Sequence, residues 1–162
     1  MELPVRIALH QPDIAGNVGT ILRLAACLNV PCDIIEPCGF PFSDKALKRA
    51  GMDYAVAANV ARHADWASFH STTHPQRLVL MTSKGSIPLY DAAFQPDDIV
   101  LMGSEGAGAP ESIHAAAALR IRIPMAAGFR SLNVAVAAGI ALGEALRQTG
   151  QWPMDCQRME NP

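Results

Sequence analysis

The chain has 162 residues, 50% of them hydrophobic, and its 13 Lys and Arg against 15 Asp and Glu leave a formal charge of −2. That length supports one domain with a real core, and no apolar run approaches the roughly 20 residues of a membrane span. The slight acidity argues against broad nucleic-acid affinity, which comes with a basic face.

In chain order, residues 5–9 are a short apolar run, read as a buried strand that ends in the loop 10–16. Residues 17–28 show helical periodicity through Val18, Ile21, Leu22 and Ala25, and Pro31 breaks it. Residues 32–35 predict a second strand, closed by Glu36-Pro37. Ser43 suits the N-cap of a short helix over 44–50, with Gly51 as its stop. Residues 54–58 suggest a strand, and 63–70 a short helix around Trp66 and Phe69. A strand over 77–82 leads to Lys84-Gly85. Another over 99–102 runs into Gly103-Ser104-Glu105-Gly106-Ala107-Gly108. Pro110 suits the first turn of a helix. Residues 119–123 are the last strand and 131–148 the last helix, with Ser131 as its N-cap. In the tail from about 150, order is expected only at the start. Strands alternate with helices, which predicts a single α/β domain over 1–162 with a mostly parallel sheet flanked by helices.

In such sheets ligands bind beyond the carboxyl ends of the strands. The loops 82–85, 103–108 and 124–133 meet that condition. The segment 121–146 is the most informative, because a buried strand passes through a turn with Gly128, Arg130 and Ser131 into a long apolar helix. Helix starts carry unpaired N–H groups and partial positive charge, although strand–loop–helix junctions also occur with no ligand. The order G-x-x-G-x-G over 103–108 is neither the dinucleotide fingerprint nor a phosphate-gripping loop. It serves a close backbone approach or a plain turn. Glu105 is a base, a substrate anchor, a helix-start acid beside Pro110, or a solvated loop residue. Arg23 interrupts an apolar helix and is either a surface arginine or a fork for phosphate. Lys45, Lys48 and Arg49, and Arg120, Arg122 and Arg130, form local basic clusters. Solvated faces account for them; used on RNA, they would bind weakly per subunit, and pairing two subunits would help.

Cys27, Cys32, Cys38 and Cys156 match no zinc spacing and no C-x-x-C pair, so reduced and mostly packed thiols are expected. His10, His63, His70, His74 and His114 have no ligand-like spacing, so no metal is expected and most are read as surface residues. His63 and His70, seven apart, are candidates for one helix face. Residues 1–9 show neither a long apolar segment nor a cleavage pattern, which makes a cytoplasmic protein the expectation.

Together the pieces resemble a known family. Pro12-Asp13-Ile14-Ala15-Gly16-Asn17-Val18-Gly19 with Ile21-Leu22-Arg23 resembles the first motif of the SPOUT methyltransferases. Leu101-Met102-Gly103-Ser104-Glu105-Gly106-Ala107-Gly108 resembles the second, and Ile121-Arg122-Ile123-Pro124-Met125 through Ser131-Leu132-Asn133 the third. Ile34-Ile35-Glu36-Pro37-Cys38-Gly39-Phe40, Asp44-Lys45 and Leu47-Lys48-Arg49-Ala50-Gly51-Met52-Asp53-Tyr54 resemble a subgroup, the small tRNA (cytidine/uridine) 2'-O-methyltransferases of the wobble nucleotide.

The resemblance implies a C-terminal trefoil knot, which general topology rules treat as nearly absent. It also implies a homodimer, a tRNA anticodon stem-loop as partner and S-adenosyl-L-methionine as cofactor. Carried over by position, the cofactor contacts are Met81, Thr82, Gly103, Ile123, Met125 and Ser131, largely through main chain. The catalytic group is Arg23, with Asn17, Glu105 and Asn133 on the substrate side. A guanidinium stays protonated near neutrality, so Arg23 is expected to orient and stabilise charge rather than accept a proton. One departure is the run Val134, Ala135, Val136 and Ala137, where related enzymes often carry Ser or Asn just after the Asn133 position. That departure keeps open a non-catalytic RNA- or nucleotide-binding protein, beside 2'-O-methylation at another tRNA or rRNA position.

Overall fold

The computed structural model describes residues 3–43, 45–46 and 59–155. In chain order the elements are β1 (Arg6–His10), α1 (Ala15–Leu28), β2 (Cys32–Ile35), β3 (Val60–His63), α2 (Trp66–Thr73), β4 (Leu78–Met81), β5 (Ile87–Pro88), β6 (Ile99–Met102), α3 (Glu111–Ala116), β7 (Leu119–Arg122) and α4 (Val134–Thr149). The seven strands form one sheet in the order β3-β2-β1-β6-β4-β7-β5, and every neighbouring pair is parallel. The expected α/β class with a mostly parallel sheet holds.

Period-two alternation divides the core. Ile7, Leu9, Val79, Met81, Val100, Met102 and Ile121 face one layer, which contains the buried sides of α1 and α4. Ala8, Leu78, Leu80, Ile99 and Leu101 face the other, with Phe69 of α2 and Ile113 of α3. β4 and β6 are fully buried along their length, as strands covered on both faces must be. On α1 the buried residues include Val18, Ile21, Leu22 and Ala25, the expected stripe. This helix begins at Ala15, two residues before the expected start. It ends at Asn29, whose left-handed conformation (φ 54°) suits asparagine better than most residues.

Four differences from the sequence reading have physical causes. First, α4 starts at Val134, not at Ser131. The Asn133 side-chain oxygen accepts from Ala135 N at 2.8 Å and Val136 N at 3.3 Å, so Asn133 is the N-cap and Ser131 lies in the preceding loop. Second, β3 occupies Val60–His63 and the following helix begins only at Trp66, where the Asp65 carboxylate accepts from Ser68 N at 2.7 Å. His63 is therefore on a strand and His70 on a helix, so they share no helix face. Third, β5 is a two-residue strand that no apolar run announced. Fourth, His10 and His63 are buried rather than on the surface, and their rings pack edge-on against Trp66 and Phe69. Burial lowers the His10 pKa.

Ser43 does cap, its hydroxyl accepting from Ala46 N at 3.1 Å. The rest of the expected helix, together with Gly51 and the expected strand over 54–58, lies outside the described residues. Of the cysteines, Cys32 is buried, Cys38 half-buried and Cys27 exposed, all free. The thiol of Cys32 is pushed up by burial, and that of Cys38 to about 11, first by burial and then by the charge of Glu36. Both are poor nucleophiles. The tail is fastened at its start, where Gln151 accepts from Val5 N at 2.8 Å and donates to Pro96 O at 3.0 Å. No helix among the described residues is long and apolar enough to cross a membrane.

The link between β4 and β5 positions the site. β7 lies between these two consecutive strands, and the link crosses it closely. A Cβ at Gly85 would stand 2.5 Å from Arg122 N, so only glycine fits. Arg122 Nη1 donates to Gly85 O and Ser86 O at 3.0 and 2.9 Å. Inserting a late strand under an earlier link is a step that the expected knot requires.

On the other half of the sheet, one fully buried carboxylate ties three strands. Asp33 of β2 accepts from Arg6 Nε and Nη2 of β1, both at 2.9 Å, and pairs with His63 Nε2 of β3 at 2.8 Å. Removing one partner from such a cluster strands the others' polar groups in a dry site. Asp33→Ala is expected to cost about 3 kcal/mol in urea unfolding; a loss below about 1 kcal/mol would show that the cluster does not tie the strands.

Candidate active site

A cavity of about 480 Å³ opens at the carboxyl ends of β4, β6 and β7, the position expected of a ligand site in a parallel sheet. Its size is that of a small-molecule or cofactor site. Three loops wall it, 82–84, 103–109 and 123–134, closed by Ile14 and Asn17 of the first loop and helix. The apolar lining comes from Met81, Met102, Ile123, Leu132, Val134 and Ala137. Polar groups sit at its edge.

The second loop holds its shape by folding back on itself. Gly108 N donates to Ser104 O at 3.0 Å, and Gly108 takes a positive φ of 69° that suits glycine. A Cβ at Gly103 would meet Ala109 N at 2.6 Å and the Gly108 carbonyl carbon at 2.7 Å. These glycines therefore allow the loop's own backbone to close up at the cavity wall.

One hydrogen-bond chain forms the wall between the first and last motifs. Helix α1 has no side-chain cap of its own. The Glu105 carboxylate supplies one from across the sheet. It accepts from Asp13 N at 2.7 Å, Ile14 N at 3.3 Å and Asn17 Nδ2 at 3.2 Å. A negative charge is favourable at the start of a helix. Asn17 Oδ1 in turn accepts from Asn133 Nδ2 at 3.0 Å, while Asn133 Oδ1 caps α4. Asn133, Asn17 and Glu105 thus join the N-termini of two helices to the second loop. Glu105 is a helix-start acid after all, but of α1, not of the helix beside Pro110.

The expected cofactor contacts Met81, Thr82, Gly103, Ile123, Met125 and Ser131 all line this cavity, as do Asn17, Glu105 and Asn133. Arg23 does not. It is exposed on α1, six residues beyond Asn17, about 9 Å further along the helix axis. In the apolar run after Asn133, Val134 and Ala137 line the cavity, Ala135 is buried and Val136 is exposed. The backbone N–H groups of Ala135, Val136 and Ala137 donate to Asn133. The sequence reading missed Ile14, Lys84 and His114 as lining residues. Lys84 stands in a loop that the strand-end rule had marked, whereas nothing in the local sequence marks His114. No group of three or more metal-ligating side chains occurs among the described residues.

The cap carries a prediction. Asn133→Ala removes the α4 N-cap and the partner of Asn17, and is expected to cost about 1 kcal/mol in thermal unfolding. Asn133→Ser retains most of the cap. Equal losses in both variants would contradict the capping role.

Comparison with known proteins places the chain in a family. Residues 4–143 match the model of the SpoU rRNA methylase family. A tRNA (cytidine(34)-2'-O)-methyltransferase of Beijerinckia indica is 53% identical over 146 residues, 89% of this chain and 91% of that one. A chain solved in a study of the 2-OH methylation of C/U34 on tRNA superposes with a TM-score of 0.84 at 38% identity, covering 90% of this chain and 96% of that one. An AdoMet-bound rRNA methyltransferase from Sinorhizobium meliloti superposes with a TM-score of 0.80 at 31% identity, covering 91% of this chain and 57% of that one. The chain belongs to the SpoU rRNA methylase family.

Proposed function

We propose that the protein is a tRNA 2'-O-methyltransferase that methylates the ribose of the wobble nucleotide, cytidine or uridine, with S-adenosyl-L-methionine as donor and S-adenosyl-L-homocysteine as product. The observation that carries this reading is the meeting of all three motif segments around one cavity, in a chain 53% identical over 146 residues to a relative named for that reaction. The cavity suits the donor. Met81, Ile123, Val134 and Ala137 offer an apolar slot for a flat base, and Thr82 and Ser131 offer polar atoms at its edge. The cofactor supplies an activated methyl group carried on a sulfonium. Main chain at Met81, Gly103, Ile123 and Met125 would read its polar edges, which is why apolar residues can serve at these positions.

The chain's own task is placement. Methyl transfer to oxygen is an in-line displacement in which the methyl carbon leaves sulfur for the ribose oxygen and the hydroxyl proton passes to water, and fixing donor and acceptor in line supplies several kcal/mol. Glu105 has both carboxylate oxygens occupied by donors of α1 and its loop. It positions Asn17 and the second loop and is not a base. Asn17 and Asn133 each use one amide hydrogen in this chain and have a second to offer the substrate. The Arg23 guanidinium orients the ribose hydroxyl together with an RNA phosphate. The knot closes around the third motif. The working form is a homodimer, supported by the exposed apolar side chains of Val136 and Ile140, one turn apart on α4, with Leu132 just before it. The anticodon stem-loop is the RNA element bound, recognition is local, and the cytoplasm is the compartment.

Titration calorimetry tests the cofactor. S-adenosylmethionine is expected to bind and NAD not to; absence of S-adenosylmethionine binding would contradict the transferase reading. With Arg23→Ala, cofactor affinity is expected to stay within about threefold while turnover falls about 100-fold, the scale of one lost charge-stabilising group. Unchanged turnover would remove Arg23 from the reaction.

A further inference from the structure

Asp13 is absent from the cavity lining, yet three strand-end loops meet on it. Its backbone N–H donates to Glu105 Oε2 at 2.7 Å, and its own Oδ2 accepts from Gly106 N at 3.0 Å. The loop after β1 and the loop after β6 therefore hold each other reciprocally through this one residue. The approach is close, since a Cβ at Gly106 would stand 3.3 Å from Asp13 Oδ2. The loop after β2 seats on the same residue. Gly39 N donates to Pro12 O at 2.9 Å, and a Cβ at Gly39 would stand 2.9 Å from Asp13 Cα and 3.1 Å from its Oδ1.

The clasp joins the cavity wall to the helix that carries Arg23. Glu105 and Gly106 line the cavity. The Asp13 loop leads directly into α1, which carries Asn17 and, further on, Arg23. Any shift of the second loop would reach the start of α1 through these two hydrogen bonds, and any shift of α1 would return by the same path. Solvent reaches these bonds, so their loss costs little overall stability. Their consequence is positional.

On the functional reading above, we infer that Asp13 is a positioning residue that couples occupancy of the cofactor cavity to engagement of RNA by α1. Such coupling is reciprocal, so each ligand tightens the other by the same factor.

The test measures S-adenosylhomocysteine binding by calorimetry with and without an anticodon stem-loop RNA, so that no turnover intervenes. In the wild-type protein the RNA is expected to tighten binding by about fivefold or more, the ordinary scale of coupling between sites. Asp13→Ala removes the bond from Gly106 N and leaves the backbone bond to Glu105, and is expected to cut that factor at least in half, with each ligand's separate affinity within about threefold of wild type and with little change in melting temperature. Asp13→Asn keeps an acceptor for Gly106 N and is expected to restore most of the coupling. Wild-type protein that binds both ligands without coupling, or Asp13→Ala with coupling intact, overturns the inference alone. Wild-type protein that does not bind S-adenosylhomocysteine overturns the functional reading and the inference with it.

Discussion

The start of α1 has donors and no acceptor of its own. The N–H groups of Asp13 and Ile14, at the entry to α1, have no acceptor within the helix. The partner is the carboxylate of Glu105, from the loop after β6, 92 residues away from Asp13. The arrangement of the site follows from this bond. It brings the first and second motif loops together, and Asn17 passes the connection on to Asn133 and the start of α4. The cavity is bounded by two helix starts and a glycine loop, all joined by one run of hydrogen bonds.

The sheet makes that bond possible. Parallel order puts the carboxyl ends of β1, β6, β4 and β7 side by side, so the loops that follow them must meet. The crossing of the β4–β5 link over β7 then sets the opposite wall. Gly85 is pressed against the β7 backbone, which holds Thr82 and Ser83 over the cavity. Buried apolar strands supply rigidity from below. A site built this way does not need many catalytic side chains, because its contribution is fixed placement of two reactants.

Much of this was legible in the chain, and the misses share a cause. β6 is legible with its observed bounds because it is a continuous apolar run closed by Gly103, and β2 because Cys32, Ile34 and Ile35 lie between Pro31 and Glu36-Pro37, although Asp33 interrupts them. The stripe of α1 was read because Val18, Ile21, Leu22 and Ala25 all point one way. β3 was missed because Val60-Ala61-Arg62-His63 has no apolar run; its pairing with β2 and the buried Asp33–His63 contact define it. The start of α4 was misplaced because Ser131 and Asn133 are both good caps, and only the fold shows that Asn133 reaches Ala135 and Val136. The roles of Glu105 and Asp13 depend on partners from distant parts of the chain. Local sequence marked Glu105 as a candidate but not what it holds.

The central claim is transfer to one ribose hydroxyl, and one comparison tests it directly. The protein is incubated with S-adenosylmethionine labelled in its methyl group and either of two anticodon stem-loops, alike except that one has a 2'-deoxy ribose at the wobble position. The account predicts label in the all-ribose RNA and none in the deoxy RNA. Equal labelling of both, or label in neither, would contradict it.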